Sequence, residues 1–498
     1  MTMTAKVYRS IALVIVALSI ATSPASTAPE VYPSLAGSYT SSAQHPRVFM
    51  TPADMSEMVT RINSPGSFSA QSFGKLSNKV KADLAANVDW DAVYSGCDLD
   101  MYLHAFSYEP TTGYPDEIRT ASQLSTALKA KEGMAPPTGA AIVAARLAMY
   151  AALIKSGAKA PASAPSSGEA AALAKRILLA WANQGFRDQE GNILSRAEQF
   201  CDGQGHFNAL YQNGVGLQIG RGIIYSVDAQ DLLQSIGAFN SEQTNQLNVF
   251  HAAIFNLMRE ASNFRAALPE MNGANSACER YSNHLGAHLL GLLAIARLLD
   301  DGRRFNAVLY GNDRSMPLAI SWTEWFNHAV YGENDKPIAC HKNTGADSLT
   351  SHPSFQTAVV APGEIEDRYR NANPGQAFGY TLGVLSGLFS VADLMKNAGY
   401  DAHDYRGAHK QSIEMATRYY ACYGKNAGFR KTVTADNARP CPDYQQYIGQ
   451  IVNGLEPDIL MGAYRFPGNS VITELEAAAK AAAGADVLDA IRFGRWRD

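Results

Sequence analysis

Asn283 and His284 stand side by side at the start of an apolar run that continues to Leu299. A side-chain amide can hold a carboxylate, and an imidazole, with an ordinary pKa of about 6.5, can remove a proton near neutral pH. Cleaving a uronic-acid polymer by elimination needs both operations, because the proton that leaves lies next to the carboxylate. The pair therefore predicts half of such a site, and an acid for the departing glycosidic oxygen must come from elsewhere.

Tyr380 is the candidate for that acid, since a phenol with a pKa of about 10 keeps its proton at neutral pH. If base and acid must lie on the same face of the sugar ring, Tyr380 could perform both steps and His284 would orient the carboxylate instead. Both arrangements stay open. An arginine beside the amide would strengthen the hold on the carboxylate. Arg370 and Arg368 precede Tyr380 closely enough to be candidates.

Each candidate also has a structural interpretation. Asn283 could cap the helix that it begins, and Tyr380 could pack in the core. His284 and His288 are four residues apart, the spacing of many zinc sites, with His206 or His341 as conceivable further ligands. However, Leu285 stands where those motifs carry glutamate. We therefore predict no metal and no cofactor.

Further substrate contacts are predicted in three long loops, at residues 185–213, 263–282 and 331–375, because such loops commonly carry binding residues. Aromatic residues near the proposed groove could stack on sugar rings, among them Trp322 and Trp325. The predicted substrate-binding residues are Arg368, His206, Asn208, Gln212, Asn213, Tyr211, His288 and Tyr331.

The elements that must position these residues are helices. Apolar residues recur at three- and four-residue spacing, while strand-like alternation is short and rare. No heptad seam and no internal repeat is present, so we predict an all-α, incomplete (α/α) toroid with a groove at one end. Helices are predicted at residues 55–62, 71–86, 139–155, 168–183, 214–233, 243–261, 283–300, 317–330, 376–397, 409–423, 457–464 and 471–483.

The chain begins like an exported protein. Lys6 and Arg9 precede an apolar stretch at 11–20 that is short for a membrane span, and small residues follow. We predict a signal peptide over 1–25 with cleavage between 25 and 28, a leader over 26–44 and one catalytic domain over 45–498. A small C-terminal extension could begin at about residue 436. The mature protein is expected to be secreted or periplasmic, without a membrane anchor.

Charge and cysteines limit the partners and the compartment. The net charge of −4 gives no general attraction to nucleic acid, so an anionic polysaccharide would need a local basic cleft. Six cysteines, an even number, predict disulfides in an oxidising compartment, and Cys422 with Cys441 is the pair favoured by proximity. The protein is expected to be a monomer or a weak oligomer.

Four stretches of the chain stand out in order: HPRVF at 45–49 with TPADM at 51–55, GRGIIYSVD at 220–228, SNH at 282–284 and AFGY at 377–380. Together they resemble motifs of the alginate lyase-like polysaccharide lyases of the chondroitin AC/alginate lyase superfamily, which are helical toroids. In that family an Asn-His pair opens one central helix and a catalytic Tyr lies on a later one. The family's Arg, about two turns before the Tyr, falls here on Asn373.

The resemblance implies a polysaccharide lyase that cleaves alginate or glucuronan by β-elimination. Two alternatives remain. A glycoside hydrolase on a similar toroid would need two carboxylates across the scissile bond, for which Asp202, Glu279, Glu364 and Glu366 lie in candidate loops. A carbohydrate-binding protein without catalysis would keep only the groove.

Overall fold

A computed structural model describes residues 31–91, 93, 106, 139–188, 190–194, 220–271, 280–335, 360–370 and 374–483. For residues 221, 267–271, 369–370 and 374–377 the description covers the backbone alone. The predicted signal peptide lies outside these ranges, and the predicted division into leader and single domain stays a prediction.

The described chain is predominantly helical, as predicted. Its α-helices are α1 Pro52–Ile62, α2 Phe68–Ala85, α3 Ala140–Lys155, α4 Ser167–Gln184, α5 Gly220–Ser235, α6 Ser241–Met271, α7 Asn283–Leu298, α8 Gly302–Tyr310, α9 Trp322–Ala329, α10 Pro374–Asn397, α11 Ile413–Ala427, α12 Ala435–Ala438, α13 Glu456–Arg465, α14 Ser470–Thr473 and α15 Glu476–Ala482. Two 3-10 helices span Glu366–Arg370 and Tyr444–Tyr447.

These helices alternate between an inner wall and an outer layer. The inner helices α3, α5, α7, α10 and α13 each contact the next in that order. Among the outer helices, α4 packs on α3, α6 on α7, and α11 on α10 and α13. This is the incomplete (α/α) toroid expected from the helical periodicity.

Two neighbouring inner helices, α7 and α10, run in the same direction. The Asn283 side chain approaches Gly383 near the start of α7, and Arg297 donates to the Asn397 carbonyl near its end, at 2.6 Å. Helices α7 and α10 are therefore parallel, and their amino-terminal halves share one end of the wall. We call this the groove end.

The other end of the wall, the closed end, is held by the segment His45–Val48. Asp231 of α5 accepts hydrogen bonds from His45 Nδ1 at 2.5 Å, Arg47 N at 2.7 Å and Val48 N at 2.8 Å. Arg47 also donates to the Leu298 carbonyl at 2.6 Å. The HPRVF motif thus joins the distal parts of the inner helices.

Arg297 contributes most to the closed end. Its guanidinium is 2% exposed and donates to the carbonyls of Arg47 at 3.1 Å and Thr40 at 2.8 Å, besides that of Asn397. The amino-terminal segment and the end of α10 therefore meet on one buried cation, whose donors are satisfied by these backbone carbonyls.

Local signals in the sequence mark the start of α1, which begins three residues before the predicted helix at 55–62. Thr51 caps α1 through a capping box with Asp54, and Pro52 occupies the first helical position. The predicted loop at 263–282 is partly wrong, because α6 continues to Met271. The buried residues Ala261, Arg265 and Ala266 extend its packed face past the predicted end. Helix α8, capped by Asp301, was not predicted.

Four two-residue strands complete the described structure. Ala36–Gly37 pairs antiparallel with Tyr400–Asp401, and Lys431–Thr432 pairs antiparallel with Ile451–Val452. The disulfide between Cys422 and Cys441, with Cα atoms 5.5 Å apart, confirms the predicted pair. The other four cysteines lie outside the described residues.

One described helical stretch, Phe378–Asn397, has the length and apolar composition of a membrane span. Its most apolar window is 72% buried inside the protein. An inner helix that is covered on most sides is expected to be apolar around much of its circumference, so packing in the toroid accounts for the composition.

Candidate functional site

The first turn of α7 is held by three distant parts of the chain. The Trp325 indole donates to the Ser282 carbonyl at 3.1 Å, and Arg265 donates to the Ser282 hydroxyl at 3.3 Å. An Asp367 carboxylate oxygen accepts from the Asn283 backbone N–H at 3.0 Å. The Asn-His pair therefore begins a helix whose position is fixed from outside.

The N-cap is Ser282, not Asn283. Ser282 has extended backbone geometry, and its side chain makes no cap hydrogen bond to α7. Asn283 is the first helical residue, so its side chain is not the N-cap of α7. Capping falls to Asp367, whose charge also suits the partial positive charge at a helix start.

The Asn283 side chain faces α10. A Cβ placed on Gly383 would lie 3.3 Å from the Asn283 amide nitrogen. Tyr380 is three residues before Gly383 and hence on the same face of α10. Asn283, His284 and Tyr380 are all half-buried. Tertiary packing thus brings the predicted amide and phenol residues to neighbouring positions on the groove end.

The exposed face of α10 next to this pair is narrow and built from small residues. Gly383 and Ser386 are exposed on a helix whose other residues are largely buried. Among the described residues, no atom lies within 4 Å of a Cβ placed on Gly379 or Gly387. The described part of the wall therefore leaves space on the face of α10 next to Tyr380.

Gly286 allows the opposite face of α7 to pack closely. A Cβ at this position would meet the Trp325 ring at 2.6 Å. Trp325 is 1% exposed and Trp322 is fully buried. These tryptophans therefore stabilise the wall behind the site, and the predicted stacking on sugar rings is not supported.

The two histidines of α7 lie in different environments. His284 is half-buried at the groove end, whereas His288, one turn further, is 0% exposed. A side chain in the interior does not meet a polymer, so the predicted substrate contact of His288 is not supported. Within the described residues, no group of three or more His, Cys, Asp and Glu side chains could hold a metal ion. His206 and His341 lie outside them.

Arg368 is also interior, at 2% exposure. It donates to the Gln446 carbonyl, and its guanidinium carbon lies 5.2 Å from the centre of the Tyr447 ring. This arrangement favours a structural role over the predicted substrate contact. The Arg370 side chain lies outside the description, so its catalytic role stays a prediction.

Two arginines near the site were not predicted. Arg265 contacts Ser282 from the end of α6, and Arg280 is a half-buried residue three positions before Asn283. Arg265 was missed because the predicted helix ended at residue 261, whereas α6 extends to Met271. Its partner is 17 residues away, and no periodic pattern relates the two.

Tyr281 lies beside the same turn. Burial, together with the nearby Glu324 carboxylate, raises the pKa of its phenol far above the ordinary value. The phenol donates to Glu324 at 3.3 Å, and its ring stacks on His328 with centroids 4.3 Å apart. Tyr281 therefore keeps its proton and supports the turn.

The remaining predicted contacts have two outcomes. Tyr331 is 3% exposed and packs in the interior, so direct contact with substrate is not supported. The other predicted binding residues lie outside the described ranges and stay predictions, namely His206, Asn208, Tyr211, Gln212 and Asn213.

The carboxylates considered for a hydrolase are unsuited where they can be seen. Glu364 and Glu366 are both 0% exposed. Glu364 accepts hydrogen bonds from Gln446 at 2.6 Å and from Tyr447 at 3.3 Å. A pair of carboxylates across a glycosidic bond must reach the substrate, and these two do not. Asp202 and Glu279 lie outside the described residues.

A comparison with solved structures identifies the architecture. The chain matches an alginate lyase from Bacteroides ovatus with a TM-score of 0.52 and 11% sequence identity, over 90% of this chain and 99% of that one. The chain has an alginate lyase-like fold. No family model and no curated protein matches the sequence.

At this identity the likeness concerns the fold alone. It confirms the predicted helical toroid and the resemblance to alginate lyase-like proteins at that level. Asn283, His284 and Tyr380 therefore lie on the helices of a toroid, and not on a coiled coil or a solenoid.

Proposed function

We propose that the protein is a polysaccharide lyase that cleaves a uronate polymer, alginate or glucuronan, by β-elimination. The observation that carries the proposal is the approach of the Asn283 amide to Gly383, one turn from Tyr380. The fold shared with an alginate lyase supports it. Neither observation depends on a metal or a cofactor.

In the proposed reaction Asn283 binds the uronate carboxylate. Removal of the C5 proton places a second negative charge on this group, and a donor aimed at that charge stabilises the transition state by about 3 kcal/mol. Arg370 remains the proposed helper. Arg280, half-buried and three residues away, is a second cation close enough in sequence to take this role.

The proton is taken by His284 or Tyr380. The C5–H electrons form the C4=C5 double bond, the glycosidic C4–O bond breaks, and Tyr380 returns a proton to the leaving oxygen. If Tyr380 serves as both base and acid, His284 orients the carboxylate. The half-buried positions of both side chains are compatible with either assignment of base and acid.

Export belongs to the same proposal. It is supported by the predicted signal peptide and by the Cys422–Cys441 disulfide, because disulfides persist in oxidising compartments. We propose a secreted or periplasmic enzyme. The amino-terminal residue of protein recovered from the medium or periplasm tests this, with cleavage between residues 25 and 28 expected.

Ultraviolet absorbance of the unsaturated product tests the activity directly. Purified protein is incubated with alginate, glucuronan and a neutral polysaccharide as control, and absorbance is followed with chain length. Increasing absorbance with a uronate polymer is expected. Chain shortening without absorbance would favour a hydrolase, and binding without either change would favour a carbohydrate-binding protein.

Two variants test the site. We expect Tyr380→Phe to abolish turnover, because the acid is lost without loss of the ring. His284→Ala separates the two arrangements through the pH profile. If His284 is the base, the variant should lose most of its activity, and the activity that remains should no longer fall at acidic pH. Full activity in both variants would refute the assigned site while leaving the reaction class untouched.

A further inference from the structure

The start of α7 is capped from a distance of 84 residues. Ser282, which occupies the cap position, makes no side-chain cap hydrogen bond to the helix. Its hydroxyl is instead 3.3 Å from Arg265. The Asn283 N–H is satisfied by Asp367, which is 0% exposed. A buried carboxylate thus fixes the first residue of the helix that presents the proposed carboxylate ligand.

Asp367 is itself held by its neighbours in sequence. On one side, Glu364 binds Gln446 at 2.6 Å and Tyr447 at 3.3 Å. The Ile365 N–H donates to the Tyr420 hydroxyl at 3.1 Å. On the other side, Arg368 donates to the Gln446 carbonyl. Asp367 therefore sits on a segment that is fastened both before and after it.

The fastening points form a buried group of phenols, the tyrosine cluster, made of Tyr419, Tyr420, Tyr423 and Tyr447. Burial raises the pKa of the Tyr420 and Tyr447 phenols well above the ordinary value, so they remain hydrogen-bond donors. The Tyr420 and Tyr447 hydroxyls lie 3.2 Å apart. The Cys422–Cys441 disulfide joins α11 to the segment just before the 3-10 helix Tyr444–Tyr447.

We propose that Asp367 is a positioning residue that sets the orientation of Asn283 for catalysis. The proposal rests on the proposed function of Asn283 as the carboxylate ligand. A helix start without a cap frays, because its first N–H groups have no partner within the helix. Fraying at Asn283 would move the amide away from Tyr380, and a displacement of about 1 Å can cost about a hundredfold in rate.

Two substitutions separate the hydrogen bond from the charge. Asp367→Ala removes the acceptor, whereas Asp367→Asn keeps an oxygen that can accept from the Asn283 N–H. We expect kcat to fall at least tenfold in Asp367→Ala, with KM changed much less, and to recover most of its value in Asp367→Asn. Ser166→Ala, which removes a cap from the outer helix α4, is the matched control and should leave kcat unchanged.

A double-mutant comparison distinguishes positioning from a general structural effect. If Asp367 acts through Asn283, Asp367→Ala should lower kcat in the wild-type background and have no further effect in Asn283→Ala. Equal losses in both backgrounds would overturn the proposal.

Amide hydrogen exchange gives a measurement that does not depend on activity. Exchange in a peptide covering residues 282–286 should accelerate in Asp367→Ala and stay near wild type in Asp367→Asn and Ser166→Ala. Unchanged exchange in Asp367→Ala would refute the positioning role. Accelerated exchange in a protein that degrades no uronate polymer would uphold the contact and refute only the proposed function.

Discussion

The two ends of the inner helices use polar residues in opposite ways. At the closed end, Arg297 and Asp231 lie in the interior, and most of their hydrogen bonds join them to backbone groups of other segments. At the groove end, Asn283 and Tyr380 are half-buried beside open space. The polar groups of the closed end join chain segments in the interior, whereas those of the groove end are partly exposed to solvent.

This difference separates stability from activity along the same helices. The backbone of the groove end is nonetheless well held, because Asp367, Arg265 and Trp325 contact residues 282–283 from behind. A site of this kind combines a rigid main chain with accessible side chains, as preorganised catalytic groups require.

The largest effect is expected from Arg297→Ala at the closed end. Removing the guanidinium leaves three backbone carbonyls without their donor, and breaking a polar network around a buried cation costs about 3–5 kcal/mol. Denaturant unfolding measures the loss. Arg303→Ala, which breaks an exposed pair with Asp313, is the control and should hardly move the midpoint. Similar midpoints for both variants would break the comparison between the ends.

The same substitution at two asparagines tests the comparison directly. Asn283→Ala should lower kcat/KM by about 10²–10³, corresponding to one lost donor in the transition state, with little change in stability. Asn397→Ala removes the hydrogen bond to the Val48 carbonyl, 3.0 Å long, and should lower stability by about 1–3 kcal/mol without changing kcat/KM. Reversed outcomes would show that the ends are wrongly assigned.

Part of the pH dependence of stability should arise from His251, which is buried where the outer helix α6 packs against the wall. Burial lowers the pKa of His251, which lies 3.1 Å from the Ser226 hydroxyl, to about 3. The unfolded chain binds this proton below about pH 6.5 and the folded protein does not. Stability should therefore be constant above that pH and fall by about 2 kcal/mol by pH 5.

His251→Gln provides the check, since it removes the proton uptake while keeping a polar group near Ser226. Unfolding free energies measured from pH 8 to pH 5 should decline less steeply in this variant. The same substitution at an exposed histidine, His409→Gln, is the control. An unchanged slope in His251→Gln would assign the acid sensitivity to another group.

The smallest effect is expected from Gly383→Ala. The new methyl group would lie 3.3 Å from the Asn283 amide nitrogen, so the amide must shift slightly, and kcat/KM should fall a few-fold. Gly387→Ala on the same helix meets no atom within 4 Å and should keep its activity. Each alanine also removes the helix penalty of glycine, about 1 kcal/mol, so the change in helix propensity is the same in both variants. Equal activity in both would argue against the Asn283–α10 contact.

The closed end was partly foreseeable and partly not. The HPRVF motif and the Thr51–Pro52 dipeptide are visible in the sequence, and the structure shows that Thr51 caps the first helix. The motif's function as a clamp was not predicted, because Asp231 is 184 residues from Arg47. Local signals mark where a segment begins, but they do not say what it binds.

The groove end shows the same division. The Asn-His pair, the apolar run after it and the helix carrying Tyr380 were predicted from periodicity and order. Burial separated His284 from His288 and withdrew Arg368 and Tyr331 from the surface. Arg265 and Asp367 were not predicted, because they contact the start of α7 from positions 17 and 84 residues away in the sequence.

The sequence by itself determined the all-α class, most helix positions, the Cys422–Cys441 pair and the chemical character of the candidate site. These depend on residue type and short-range periodicity, which act within a few turns of chain. Only the tertiary structure decided which end of each helix is open and which residue caps α7. That choice depends on burial against distant helices, since the same helical pattern serves equally well for an interior arginine and for one that meets a substrate.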